Sequence, residues 1–192
     1  NGILFLLLYG LFSSLIIKIC LKAHPIISGI FAMNHAHFTY WKFITVIHEF
    51  GRGSLLPFTT VFAKPLVGFL FGAKMGKNIA MGGHLVDPWL ITVSDNAILG
   101  LNTAILAHAI TSGKIILKPV IIKKGATIGV HSVIMPGVCV GENSVVVAGS
   151  VVKMDTIIPA NELWGGVPAK KLKDIEENEF ISITNPNKQS KS

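Results

Sequence analysis

The sequence predicts an all-β fold, a parallel β-helix of six-residue repeats preceded by apolar N-terminal helices. Three observations predict it: a period of six in the second half, a concentration of apolar residues at the start, and one break in the period. From Ile122 the chain reads in sixes as IKKGAT, IGVHSV, IMPGVC, VGENSV, VVAGSV, VKMDTI and IPANEL. The first place is always Ile or Val, at 122, 128, 134, 140, 146, 152 and 158. The fifth is often small (Ala126, Ser132, Ser144, Ser150, Thr156), and glycine takes the second at Gly129 and Gly141. Helical spacing cannot produce a strict six. Such a period marks a solenoid in which each hexad supplies one short strand and a corner. Three hexads close a triangular coil of about eighteen residues, with the aliphatic residue inside and the small one beside it near the corner.

The elements follow in order. Residues 3–21 read ILFLLLYGLFSSLIIKICL, close to the ~20 apolar residues that a membrane-spanning helix needs. The stretch reads as membrane-associated, with Lys18 able to snorkel, or as a buried packing helix. No basic residue precedes it and no small-residue cleavage pattern follows, which disfavours a signal peptide. The chain begins with Asn rather than Met, as a piece of a longer protein would. Residues 22–72 stay apolar and aromatic, with Lys42, Arg52 and Lys64 at intervals. They predict short amphipathic or interfacial helices against a membrane or the main domain. His24, His35, His37 and His48 fall here; without a further ligand at a useful spacing they read as surface or packing histidines. This gives three segments: apolar and helical 1–72, β-helix 73–172, and a polar tail 173–192, expected as a short helix and then a disordered end.

Upstream of Ile122 the period of six runs in another frame, through Met75, Met81, Asp87, Val93, Leu99 and Ile105. Asp87 stands where an inward aliphatic is expected, either as a corner distortion or as an orienting carboxylate. From Ile105 to Ile128 the chain advances one coil plus five residues, so a loop of five is expected within TSGKIILKP (111–119). Looping out those five stacks His131 above His108. His108, in LAHAITSGK, thus lies just before the excursion, and loops on rigid scaffolds tend to carry function. It reads either as a corner filler or as the group that does chemistry.

Seventeen Lys and Arg against ten Asp and Glu give a net charge of +7. That favours anionic partners such as phosphorylated cofactors or acidic lipid headgroups. Nucleic acid is not expected, because no basic run interleaved with aromatics and no finger or RNA-binding signature occurs. Two distant cysteines, Cys20 and Cys139, make no disulfide framework and suit a reducing compartment.

The segments LVGFLFGAKMGKNI, VSDNAILGLNTAILAH, IKKGATIGVHSVIMPGVCVGENSVVVAGSVVKMD and GGVPAKKL resemble the hexapeptide-repeat acyltransferase family over roughly residues 65–172. The block from YWKF to MGKNI is also similar to the segment before acyltransferase-like repeats in membrane-bound, peptide-synthetase-associated proteins. The resemblance implies a left-handed β-helix, a homotrimer, and an active site in the cleft between neighbouring prisms. It also implies acetyl-CoA as acyl donor and a loop histidine as general base on a hydroxyl or amine acceptor. His108 is then the base, with His84 and His131 in reserve and Asp87 as a possible orienting group. Here the histidine stands as Ala-His-Ala, where several members carry Gly-His or Asn-His one residue later.

By the same resemblance Ala148, Gly149 and Ser150 let the pantetheine approach the backbone. Lys153, Lys170 and Lys171 meet its phosphates, and Gly166 and Pro168 shape the turn that presents them. The lysines otherwise read as a solvated edge. Two rivals stand beside this reading. One is a non-catalytic trimeric assembly or binding module. The other is a zinc-dependent carbonic anhydrase of the same β-helix type, which would need His84, His108 and His131 to converge and lacks the expected His-x4-His spacing; no metal is expected. The implied location is the cytoplasmic side of a membrane, or the cytoplasm.

Overall fold

The computed structural model describes residues 1–176; residues 177–192, and with them most of the expected polar tail, lie outside the described residues. Three helices come first: α1 (Gly2–Ala23), α2 (Ala36–Leu55) and α3 (Lys64–Leu70). The expectation of only short helices over 22–72 needs correcting: α2 has 20 residues, and a strand, Gly29–Ala32, stands before it. Helix α1 packs on α2 through small side chains. A Cβ on Gly10 would strike Leu55, 2.6 Å from its Cδ2, and one on Gly51 would strike Ser13. Small residues on both sides let the two backbones approach closely, a packing also common between helices in membranes.

From Lys74 the chain winds into a left-handed β-helix with three parallel faces. The first face stacks Lys74–Met75, Ile91–Val93, Val120–Ile122, Cys139–Val140 and Ile157–Ile158. The second stacks Ala80–Met81, Ile98–Leu99, Thr127–Ile128, Val145–Val146 and Glu162–Gly166, with Ala169–Asp174 folding back antiparallel. The third stacks His84–Val86, Ala104–Leu106, Val133–Ile134 and Val151–Val152. Ile122, Ile128, Ile134, Val140, Val146, Val152 and Ile158 all point into the prism and are buried. In this half the partners lie eighteen residues apart, as in Ile122 with Val140 and Val140 with Ile158.

Glycine at the second place of a hexad has a steric reason. A Cβ on Gly100 would sit 2.6 Å from the Val130 amide nitrogen of the coil above. The backbone there cannot yield, so the corners stack only if that side chain is absent.

Two frame expectations are corrected. Leu99 pairs with Ile128 and Ile105 with Ile134. Each step is 29 residues, so the excursion takes eleven beyond a coil of eighteen and not five. It spans His108 to Lys118 and is closed at its base by the Lys118 N–H donating to the Ala107 carbonyl (2.9 Å). It is an antiparallel hairpin of His108–Thr111 with Lys114–Leu117, extended by Gly29–Ala32 as a third strand. Ile115 and Leu117 are fully buried against Ile17, Phe38, Trp41, Ile44 and Phe71, which gives the helices their own core against the hairpin.

Second, Asp87 is not an inward hexad residue. Leu85 takes that place opposite Ile105, four residues after Met81 and eight before Val93. The surplus widens the corner Asp87–Leu90 between the third and first faces. The hairpin springs from the same edge one coil higher.

Candidate functional site

Asp87 is 1% exposed and adopts left-handed backbone torsions (φ 64°, ψ 61°) directly before Pro88. The left-handed region costs a non-glycine residue energy, although Asp tolerates it better than most. The twist turns its carboxylate to where two donors meet it. Oδ2 lies 2.5 Å from His108 Nδ1, and Oδ1 accepts from the indole Nε1–H of Trp41 at 2.8 Å. The Trp41 and His108 rings also meet edge to face, 4.7 Å between centroids.

This arrangement sets the chemistry of the imidazole. An ionised carboxylate only accepts and an indole N–H only donates, so Oδ1 is committed to Trp41. Oδ2 then accepts the hydrogen bond that His108 donates from Nδ1–H, which leaves Nε2 with its lone pair, the tautomer a general base requires. The His108 side chain retains 21% exposure while that of Asp87 has none. The imidazole is within reach of a ligand, and the carboxylate bonded to it is sealed from solvent.

The sequence tied His108 to Asp87 only as a possibility and assigned no role to Trp41. No periodic signal links residue 41 to residue 87, because the contact crosses from α2 to a corner of the prism.

The reserve histidines lie elsewhere. His131 does not stack above His108. With the 29-residue offset it stands over Asn102, its N–H donating to the Leu101 carbonyl (2.9 Å), and both residues occupy left-handed corner positions (φ 58° and 57°). His84 opens the third face beside Gly82 and Gly83. Both therefore belong to the edge between the second and third faces, whereas His108 sits on the next edge. A third-face strand of about three residues separates the two edges, about 10 Å. The structure does not bring His84, His108 and His131 together, and among the described residues no three His, Cys, Asp or Glu side chains form a metal-sized cluster.

Most residues singled out for a phosphorylated cofactor do gather. Ala148 and Gly149 are exposed on the edge between the second and third faces. The Ser150 hydroxyl turns inward, donating to the Val147 carbonyl (2.6 Å) and accepting from the Gly166 N–H (3.2 Å). That bond joins the corner to the turn bearing Gly166 and Pro168, with exposed Lys170 opposite Gly165. Lys171 is engaged by Glu162 (2.8 Å) and Asp174 (2.7 Å). Lys153 stands apart, exposed on the edge that carries His108.

A second feature lies at the foot of the Ala148 edge: a cavity of about 210 Å³ between α2, α3 and the first coil, lined by His48, Arg52, Lys64 and His84 among others. Burial first, then the Arg52 and Lys64 cations, holds the His84 imidazole below its usual value of 6.5, with Glu49 opposing. Glu49, next to His48 and bonded to Arg52 at 2.7 Å, has its carboxyl pulled down to about 2.

No family model matches the chain. Residues of this chain are 26% identical over 107 positions to Delta-poly-L-ornithine synthetase of Acinetobacter baumannii, covering 55% of this chain and 8% of that protein. Among solved structures, a hexapeptide-repeat-containing acetyltransferase of Vibrio cholerae, in complex with acetyl coenzyme A, is 28% identical with a TM-score of 0.51, over 55% of this chain and 62% of its own. A galactoside acetyltransferase in complex with coenzyme A superimposes with a TM-score of 0.58 over 85% of this chain and 93% of its own; at 21% identity it speaks for the fold. The chain thus spans less than two thirds of the first of these solved relatives and a small part of the synthetase. Repeat, register and these similarities agree that the chain folds as a hexapeptide-repeat, left-handed β-helix like that of the solved acetyltransferases.

Proposed function

We propose that the protein is an acyltransferase that moves an acetyl or other acyl group from acyl-CoA to a hydroxyl or amine of a small-molecule or saccharide acceptor, with His108 as general base. The observation that carries the reading is the Trp41–Asp87–His108 chain, which fixes the ring and leaves Nε2 free. The acceptor's O–H or N–H proton passes to Nε2 as its oxygen or nitrogen bonds to the thioester carbonyl carbon. The C–S bond then breaks, and the proton goes on to the departing thiolate to give free coenzyme A. Such proton transfer contributes ~10²–10⁴ in rate. The acetyl coenzyme A bound by the Vibrio enzyme supports the donor. The synthetase similarity supports kinship with peptide-synthetase-associated repeats.

In the same reading the coenzyme lies along Ala148, Gly149 and the Gly166–Pro168 turn, with Lys170 near its phosphates. His108 and Lys153 share the other edge, too far to reach that stripe within one chain. A neighbouring copy that sets its His108 edge against this edge completes the site, which supports a homotrimer. Helix α1, about 33 Å long at 1.5 Å per residue, has a mean hydropathy of 2.3 and is largely uncovered. With exposed Phe43, Val46 and Phe50 of α2, it supports contact with a bilayer.

The test is His108→Ala in an assay of acetyl-CoA-dependent transfer, with the fold checked by circular dichroism. A fall of about 10²–10⁴ is expected. Undiminished transfer by a folded variant removes the base. Absence of transfer by the wild type across hydroxyl and amine acceptors favours the non-catalytic assembly module instead.

A further inference from the structure

We propose that the cavity at the foot of the Ala148 edge is a binding site for the acidic group, carboxylate or phosphate, of a small molecule with a short apolar body. The proposed function would make this molecule the acyl acceptor, and to that extent the inference rests on that reading; the binding itself does not. Four observations converge. The cavity wall includes two permanent cations, Arg52 and Lys64, and two imidazoles, His48 and His84, but no carboxylate. Among the described residues Glu49 is the one acid bonded to this group, and it neutralises only one of the two cations. The Arg52 Nε is buried without a hydrogen-bond partner, although its Nη2 is held by Glu49. Lys64 spends one N–H on the Gly82 carbonyl at 2.9 Å and has two more to give.

An unsatisfied buried donor is costly, and a charged one more so. An oxyanion between Arg52 and Lys64 would satisfy both and draw His84 towards its cationic form. Leu56, Val67, Met81 and Leu85 make much of the remaining wall apolar, with Thr59 and Asn102 as its neutral polar side chains. A cavity of about 210 Å³ lies below the ~300–1,000 Å³ of drug-sized ligand sites, so the occupant is small. Its position fits an acceptor. The cavity opens on the same edge as the stripe assigned to the coenzyme, so both substrates would lie on one prism and a neighbour's His108 would face them.

The experiment uses the whole chain and three probes: succinate, inorganic phosphate, and glycerol as an uncharged control. Histidine ring resonances are followed by NMR at constant ionic strength. Saturable shifts of the His84 signals with succinate or phosphate, but not glycerol, are expected, with the His84 pKa rising on binding; the tighter probe identifies the acidic group. Arg52→Gln and Lys64→Met should each weaken binding about tenfold or more, with thermal melting confirming that the variants fold. His108→Ala should bind the probe as the wild type does. Linear, non-saturating shifts, or equal binding by both folded cavity variants, would overturn the site and leave the role of His108 untouched. Loss of transfer in His108→Ala with probe binding intact supports both readings. Intact transfer in that variant with probe binding retained removes the base and keeps the site.

Discussion

Asp87 is the residue on which the candidate centre turns, because each of its oxygens is committed to a different partner. Replacing it with Asn offers Nδ1 an N–H instead of an acceptor and favours the tautomer with the proton on Nε2, which cannot act as a base. Asp87→Asn is therefore expected to lower kcat by about 10²-fold or more while leaving KM for acetyl-CoA near its wild-type value, read from steady-state kinetics. Trp41→Phe keeps the ring contact and deletes the N–H, stranding Oδ1 in a dry site. A loss of about 1–3 kcal/mol in chemical denaturation is expected, with a displaced acidic limb in the pH profile of kcat. A purely structural tryptophan would move the first and not the second. His84 supplies another residue-scale test. Its imidazole titrates below 6.5 because burial and the neighbouring cations oppose protonation. Histidine NMR without added anion should show that depression, and Arg52→Gln should lessen it.

The coil and the hairpin fail in different ways. Ile128 is fully buried in the prism, so Ile128→Ala should cost about 2–5 kcal/mol in denaturant unfolding. Gly100→Ala forces a Cβ against backbone and should cost about 1–3 kcal/mol. In α2 the Glu49 carboxyl lies near 2 in the folded protein against an ordinary 4.5. Its stabilising share is therefore present above about 4.5 and fades as the pH falls towards 2. The stability gap between wild type and Glu49→Gln should shrink along that interval; because Glu49 is half exposed, the gap is small even at neutral pH. The period of six was legible because every coil repeats the same steric demand. The length of the excursion was not legible. Ile115 and Leu117 of the hairpin are as aliphatic as the prism's own residues, and only their burial against α1 and α2 shows that they belong to another core.

Assembly and surroundings belong to the whole molecule. If copies complete one another's sites across prism edges, light scattering should give a mass of three chains. An inactive His108→Ala copy mixed with a copy impaired at the coenzyme edge, such as Gly149→Trp, should then recover part of the activity in mixed trimers. Complementation of this kind fails if each chain carries its own complete site. The apolar arc of α1, with Phe5, Leu8, Phe12 and Leu15 exposed, predicts flotation with anionic lipid vesicles. Phe12→Asp combined with Leu15→Asp should abolish it without disturbing the β-helix dichroism.

The sequence by itself determined the β-helix, its inward aliphatic column from Ile122 to Ile158, the glycine corners and the candidacy of His108. The first three follow from local rules repeated at a fixed spacing, and repetition is visible in one dimension; His108 stood out by the break in that repetition and by the family resemblance. Tertiary structure decided what repetition does not encode. It set the excursion at eleven residues, stood His131 over Asn102, moved Asp87 from the prism interior to a widened corner, and brought Trp41 from 46 residues away to hold it. It also gathered Arg52, Lys64 and His84 around one cavity. These outcomes depend on how a helical layer with its own hydrophobic core docks on the prism, and such docking is fixed by the shapes of two surfaces rather than by any spacing along the chain.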